Sequence, residues 1–72
     1  MIKTLKKVES SMVAAFGYDR EEKVLEVVFR KGSTWKYRDV PHSVYQRLCK
    51  ADSIGGYMRD EILDVYEAER VR

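Results

Sequence analysis

The residue types that most often carry catalysis or metal binding are scarce in this chain, which has one histidine and one cysteine. His42 stands next to Pro41 at a predicted helix start, where a capping or surface role is commoner than acid–base catalysis. Cys49 falls on the predicted apolar face of the same helix, which favours a packing role over a nucleophilic one. With only scattered carboxylates beside them, these residues form no recognisable zinc pattern. We therefore expect no metal site.

Two further motifs lack the features that their chemistry needs. Gly55 and Gly56 are adjacent, without the wider glycine spacing and the Lys-Ser/Thr pair of a phosphate-binding loop. Asp60 and Glu61 are neighbours on a polar segment, which is more typical of a solvated surface than of a paired-carboxylate site. We predict that the protein is not an enzyme and that it uses no cofactor.

Binding chemistry is better represented, in the stretch that ends at Pro41. Trp35 and Tyr37 alternate with Lys36 and Arg38, and this period of two predicts a strand with the aromatic pair on one face and the basic pair on the other. The aromatic pair has two open interpretations. It fills the core, or it forms a platform on which nucleic-acid bases stack.

The basic residues form a second candidate feature. If the aromatic pair lies in the core, the basic pair is exposed beside two cations of the preceding hairpin, which gives four positive charges within nine residues. Basic side chains next to aromatic ones can bind phosphate and stack bases. The alternative is that they only keep the sheet edge soluble. The candidate partner-binding residues, for protein or RNA, are these four and three N-terminal lysines: Lys3, Lys6, Lys7, Arg30, Lys31, Lys36 and Arg38.

Hydrophobic periodicity predicts an α+β fold in which a small antiparallel sheet of three or four strands is packed by two helices. The expected strands span about residues 12–18, 24–30 and 34–39, and the expected helices about residues 41–51 and 54–63. In the first strand the larger residues are expected on one face and the smaller on the other: Met12, Ala14, Phe16 and Tyr18 against Val13, Ala15 and Gly17. Gly32 is expected to supply the positive φ of a tight hairpin.

The two ends of the chain are less regular. Ser53 is a candidate N-cap for the second helix, and the glycine pair after it indicates close packing or a tight turn. Residues 64–71 fit an extended tail docked on the sheet or a continuation of the helix, and we favour the extended form. The whole chain, 1–72, is expected to be a single domain, with residues 1–8 a basic arm.

Composition and charge limit the class of protein, its cellular location and the kind of partner it can have. A hydrophobic fraction of 44% with 36% charged residues is typical of a globular protein and excludes bulk disorder. A single cysteine, no apolar run near 20 residues and no secretory leader predict a cytoplasmic protein that does not enter a membrane. Residues 1–50 carry 11 Lys and Arg against 6 Asp and Glu, whereas residues 51–72 carry 3 against 6. This split favours a charged partner, and a solvated surface of mixed sign is the alternative.

An ordered series of short motifs resembles the KTSC domain over roughly residues 8–71. That family is named for the C-terminus of some lysyl-tRNA synthetases and also occurs as small bacterial and phage proteins. Its aromatic-x-aromatic centre is here Trp35-Lys36-Tyr37, and Ala68 stands where a second tail aromatic after Tyr66 is common. The other matching motifs are Ser10-Ser11, Phe16-Gly17-Tyr18-Asp19, Leu25-Glu26-Val27-Val28-Phe29, Val40-Pro41, Val44-Tyr45, Ser53-Ile54-Gly55-Gly56-Tyr57 and Arg70-Val71.

The resemblance implies a compact α+β fold and gives two functional expectations. Within the family the chain is similar to a small phage antiterminator, which implies a regulator that binds host RNA polymerase in the host cytoplasm, inhibits initiation and promotes antitermination. The alternative is a small RNA-binding module that uses the basic patch. RNA binding through phosphates weakens steeply with salt, whereas a protein interface with an apolar centre persists. We expect a monomer, with a homodimer paired through sheet edges as the alternative.

Overall fold

A computed structural model describes residues 5–8 and 10–72. It has five strands and two helices, and the second helix continues directly into a π-helical segment. The elements are β1 Lys6–Lys7, β2 Val13–Asp19, β3 Val24–Phe29, β4 Thr34–Tyr37, α1 His42–Lys50, α2 Ile54–Tyr57, the π-helical segment Met58–Ile62 and β5 Ala68–Arg70. The predicted elements are confirmed, with ends that differ by a few residues.

The strands form one antiparallel sheet in the order β1-β2-β3-β4-β5, so each strand pairs with its neighbour in sequence. This confirms the α+β fold and the extended form of the tail, where Tyr37 is in register with Ala68. The sheet is wider than expected, since Lys6 and Lys7 pair with Phe16 and Ala15. These lysines belong to the segment for which we expected a basic arm.

The apolar residues of β3 and β4 lie on one face of the sheet. Leu25 and Val27 are fully buried and are in register with Tyr37 and Trp35, as the alternation predicts. The face assigned to Val13 was wrong. The register shifts between Val13 and Ala15, and such a bulge lets two residues of one strand oppose one of the next. Val13 therefore becomes fully buried instead of lying on the small face.

The two helices cover this apolar face. Helix α1 contributes Leu48, and the π-helical segment contributes Met58 and Ile62, all three without solvent exposure. The hydroxyl of Tyr18 donates a hydrogen bond to the carbonyl of Val40, which fixes β2 to the residues that lead into α1. No helix in the described ranges 5–8 and 10–72 is long and apolar enough to cross a membrane.

Local turn chemistry follows the sequence at three places. Gly32 has φ +106° in the β3–β4 hairpin, as predicted. Ser53 caps α2 by accepting a hydrogen bond from the backbone N–H of Gly56 at 3.1 Å. Gly55 is a point of close packing, because a Cβ there would lie 3.3 Å from the Cβ of Met12. The absence of a side chain thus lets α2 approach the start of β2.

We predict that Leu48→Ala lowers the free energy of unfolding by about 2–5 kcal/mol, because it leaves a cavity between α1 and the sheet. Urea unfolding followed by circular dichroism measures this loss. The control is Gln46→Ala on the exposed side of the same helix, which is expected to change the free energy by less than about 0.5 kcal/mol. Equal effects of the two substitutions would contradict the assignment of Leu48 to the core.

Candidate functional site

The helices leave one part of the apolar sheet face uncovered, and this part forms a groove of about 660 Å³. Its floor consists of three aromatic side chains, Phe29 at the hairpin end of β3 and Trp35 and Tyr37 along β4. Antiparallel pairing places them on the same face, because Trp35 and Tyr37 are opposite Val27 and Leu25. We call this feature, with the wall residues described next, the aromatic groove.

The walls of the aromatic groove come from distant parts of the sequence. Met12 stands just before β2, and Leu63 and Tyr66 follow the π-helical segment. Ala68 lies on β5 in register with Tyr37 and also lines the groove.

Trp35 and Tyr37, which share a face, differ in depth. Tyr37 is 3% exposed and belongs to the core cluster, while Trp35 packs against that cluster from its edge and stays partly exposed. The two interpretations of the aromatic pair therefore apply to different residues. Tyr37 is a core residue whose edge reaches the groove, and Trp35 is the residue that a ligand can contact.

The polar residues of the aromatic groove lie at two opposite ends. Arg30 and Lys31 line it at the β3–β4 hairpin, and Asp64 lines it beside Tyr37. Burial raises the pKa of the Tyr37 phenol above its usual 10.0, and the Asp64 carboxylate adds to this rise. The aromatic floor thus runs from a positive end to a negative one.

Arg30 also has a structural role, because it forms hydrogen bonds with the backbone. Its guanidinium donates hydrogen bonds to the carbonyl oxygens of Ser10 at 2.6 Å and Val8 at 3.1 Å. These bonds hold the segment between β1 and β2 against the hairpin. Of the two hairpin cations, Lys31 is the one with no hydrogen bond or ion pair to another described residue.

The structure does not gather the predicted basic residues into one patch. Lys36 and Arg38 lie on the face opposite the groove, where Lys36 is in register between Glu26 and Glu69. Arg38 forms an ion pair with Glu69 at 2.5 Å. The cations of this face therefore have carboxylates close by, which weakens their field.

The remaining predicted cations belong to the N-terminal part of the chain. Lys6 and Lys7 occupy register positions opposite Phe16 and Ala15. Lys3 lies outside the described residues.

His42 and Cys49 lie at a different place, around helix α1. The rings of Tyr18 and Tyr45 stack with centroids 4.8 Å apart, and the His42 ring lies 5.7 Å from that of Tyr18. Burial raises the pKa of Tyr45, and a hydrogen bond with Cys49 adds to the rise. Within the described residues, no three His, Cys, Asp or Glu side chains are placed to share a metal ion.

Sequence reasoning missed most of the groove, since only Arg30, Lys31, Trp35 and Tyr37 of its lining were predicted as site residues. Met12, Asp64 and Tyr66 reach it through contacts between distant segments, which periodicity does not report. Asp64 carries one local signal, since aspartate is among the few non-glycine residues that adopt a left-handed backbone, and its φ is +65°.

Comparison with known proteins supports the resemblance found in the sequence. The model of the KTSC domain matches residues 9–66. An uncharacterised protein of Stutzerimonas stutzeri is 44% identical over 48 residues, which cover 67% of this chain and 68% of that protein. A protein of Tsukamurella paurometabola is 41% identical over 51 residues, or 71% of this chain and 76% of the other. The crystal structure of a KTSC domain protein from Yersinia pestis superposes with a TM-score of 0.93 at 28% identity, covering 96% of this chain and 97% of that one.

The raised pKa of Tyr37 predicts a loss of stability in alkali. In the unfolded chain this phenol ionises at a lower pH than in the folded protein, so above about pH 10 the unfolded state binds fewer protons and the free energy of unfolding falls. Burial also raises the pKa of Tyr18 and Tyr45, so we expect Tyr37→Phe to reduce this fall without abolishing it. Urea unfolding at successive pH values measures the slope. A slope identical to that of the original protein would contradict the prediction.

Proposed function

This chain belongs to the KTSC domain family, and we propose that it is a non-enzymatic regulator of transcription that binds a protein partner, host RNA polymerase, through the aromatic groove. The observation that supports a binding role is the groove itself. A domain of this size has a small core, and an open concave surface floored by aromatic rings is the feature by which a protein recognises a partner.

The lining of the groove favours binding over catalysis. Its described part contains one carboxylate, Asp64, and the phenols of Tyr37 and Tyr66, and it contains neither histidine nor cysteine. General acid–base or nucleophilic chemistry needs a base within hydrogen-bonding reach of its partner, and Asp64 has no hydrogen bond to a described side chain. We therefore propose that the protein acts by occupying a surface.

The identity of the partner is supported by the resemblance to a small phage antiterminator. A domain that occupies a polymerase surface inhibits initiation and promotes antitermination if it binds the elongating state more tightly than the initiating state. No chemistry on the bound domain is required. A phage-encoded chain of this kind would work in the cytoplasm of its host.

RNA binding is the second candidate function, and the partly exposed Trp35 near Lys31 is the observation that favours it. A base stacked on the indole with its phosphate at the lysine is a common arrangement in single-strand binding. The placement of Lys36 and Arg38 counts against it, because they lie on the opposite face near Glu26 and Glu69. A strand of RNA on the groove would reach few free cations.

The two functions are separated by a pull-down of the tagged protein from bacterial lysate, with and without nuclease and at two salt concentrations. We expect RNA polymerase subunits to be recovered with nuclease present and at the higher salt, because an apolar interface does not depend on phosphate contacts. Recovery of RNA alone, lost at high salt, would overturn the regulator function and support the RNA-binding module.

Two variants locate the binding surface in the same pull-down. Ala68→Glu places a charged side chain in the groove from an exposed position on β5, and we expect it to reduce polymerase recovery by about tenfold or more. Lys36→Ala on the opposite face is the control and is expected to leave recovery unchanged. Loss with Lys36→Ala but not with Ala68→Glu would contradict the use of the groove. Circular dichroism of both variants checks that they are folded.

A further inference from the structure

We propose that the aromatic groove binds an arginine side chain of its protein partner, with the guanidinium stacked on the rings near Tyr37 and paired with the Asp64 carboxylate. This inference rests on the proposed protein-binding function and names what the groove recognises. It is carried by the position of one unpaired carboxylate at one end of an aromatic surface.

Asp64 has no hydrogen bond or ion pair to another side chain among the described residues. It lines the groove together with Leu63 and Tyr66 and is itself exposed, so a ligand group can reach its carboxylate. An opposite charge is attracted to it at short range. The carboxylate therefore favours a cationic ligand group at this end.

The rings beside Asp64 favour the same kind of group. Aromatic faces attract cations through their electron density, and this attraction grows as the cation leaves water. The edge of Tyr37 and the ring of Tyr66 reach this end of the groove, and Trp35 lies next to them. Tyr37 is only 3% exposed, so the half-buried rings of Trp35 and Tyr66 offer the faces on which a flat cation can stack.

The backbone holds Asp64 in place before any ligand binds. The N–H of Leu63 donates to the carbonyl of Met58 at 2.7 Å, and the N–H groups of Val65 and Tyr66 donate to the carbonyl of Ile62 at 3.1 Å and 3.3 Å. These bonds on both sides of Asp64 fix the turn. A preorganised carboxylate loses less conformational freedom on binding.

Arginine fits this site better than lysine. Its guanidinium is planar, stacks on aromatic faces, is weakly hydrated and can donate two hydrogen bonds to one carboxylate. The lysine ammonium is compact and strongly hydrated, so it loses more on leaving water.

The other end of the groove sets where the rest of the partner lies. Arg30 and Lys31 repel a second cation there and favour an acidic residue. Tyr37 lies four residue steps along the strand from Ser33, at the hairpin end, which corresponds to roughly 13 Å at about 3.3 Å per step. The partner segment is thus expected to be extended and to carry an acidic residue about four positions from the arginine.

The test is an NMR titration of the full-length protein with N-acetyl-arginine amide, with N-acetyl-citrulline amide as the uncharged isostere. We expect saturable shifts at the Asp64 amide, at the Tyr37 ring and at the indole of Trp35, the chain's single tryptophan, with the arginine probe and much weaker ones with citrulline. Equal shifts with both probes, or no saturable shift, would overturn the inference.

Two carboxylate variants sharpen the test. Asp64→Asn keeps a residue that tolerates the left-handed backbone, and we expect it to weaken binding of the arginine probe about fivefold or more. Asp60→Asn changes the net charge equally at an exposed position outside the groove lining, and it is expected to have no effect. Equal affinities of the two variants would contradict the role of Asp64.

The same variants separate this inference from the proposed function. If Ala68→Glu abolishes polymerase recovery while Asp64→Asn leaves both recovery and the arginine titration unchanged, the groove binds the polymerase and the arginine assignment is wrong. If recovery fails with the original protein but the arginine titration depends on Asp64, the site stands and the partner is a different protein.

Discussion

The structure depends on a single constraint. The apolar face of the sheet must be shielded from water, and the chain has few helical residues to cover it. Register places the large side chains of β2, β3 and β4 on that face, and α1, α2 and the π-helical segment are the helices available to cover it. Leu48, Met58 and Ile62 exclude water where they reach. Beyond their reach, near the β3–β4 hairpin, the face stays open, and its uncovered aromatic residues become the floor of the groove.

The opposite face of the sheet carries charged side chains. It carries small residues and a row of charges in which Glu26, Lys36 and Glu69 follow one another across three strands. Alternating signs on neighbouring strands attract one another, and Arg38 adds an ion pair with Glu69. The charges of this face thus have opposite charges beside them, which favours the groove side as the binding surface that we propose.

The sequence predicts those features that depend on neighbours along the chain. Alternation in β3 and β4 placed Leu25 and Val27 in the core, and turn chemistry assigned the positive φ of Gly32. A bulge between Val13 and Ala15 shifts the alternation of side chains between the two faces of β2. No local pattern in the sequence predicts that Val13 lies in the core. The groove is lined by residues more than fifty positions apart, such as Met12 and Leu63, and periodicity carries no information at that range.

The basic residues show why counting charges along a strand does not by itself locate a charged patch. Four cations within nine residues read as a cluster, but a hairpin and a period of two distribute them over two faces. Of these cations, Arg30 donates hydrogen bonds to backbone carbonyls, and Arg38 forms an ion pair with Glu69.

What remains distinctive is the route by which the chain leaves the helical layer. A π-helical segment, a form often found at functional sites, ends at Ile62, and after Leu63 the residue Asp64 adopts a left-handed backbone that is costly for most residues with a side chain. This turn brings the chain back to the sheet as β5 and leaves a carboxylate at the edge of the aromatic floor. The segment that leads into β5, the last strand of the sheet, is therefore also the segment that supplies the negative end of the groove.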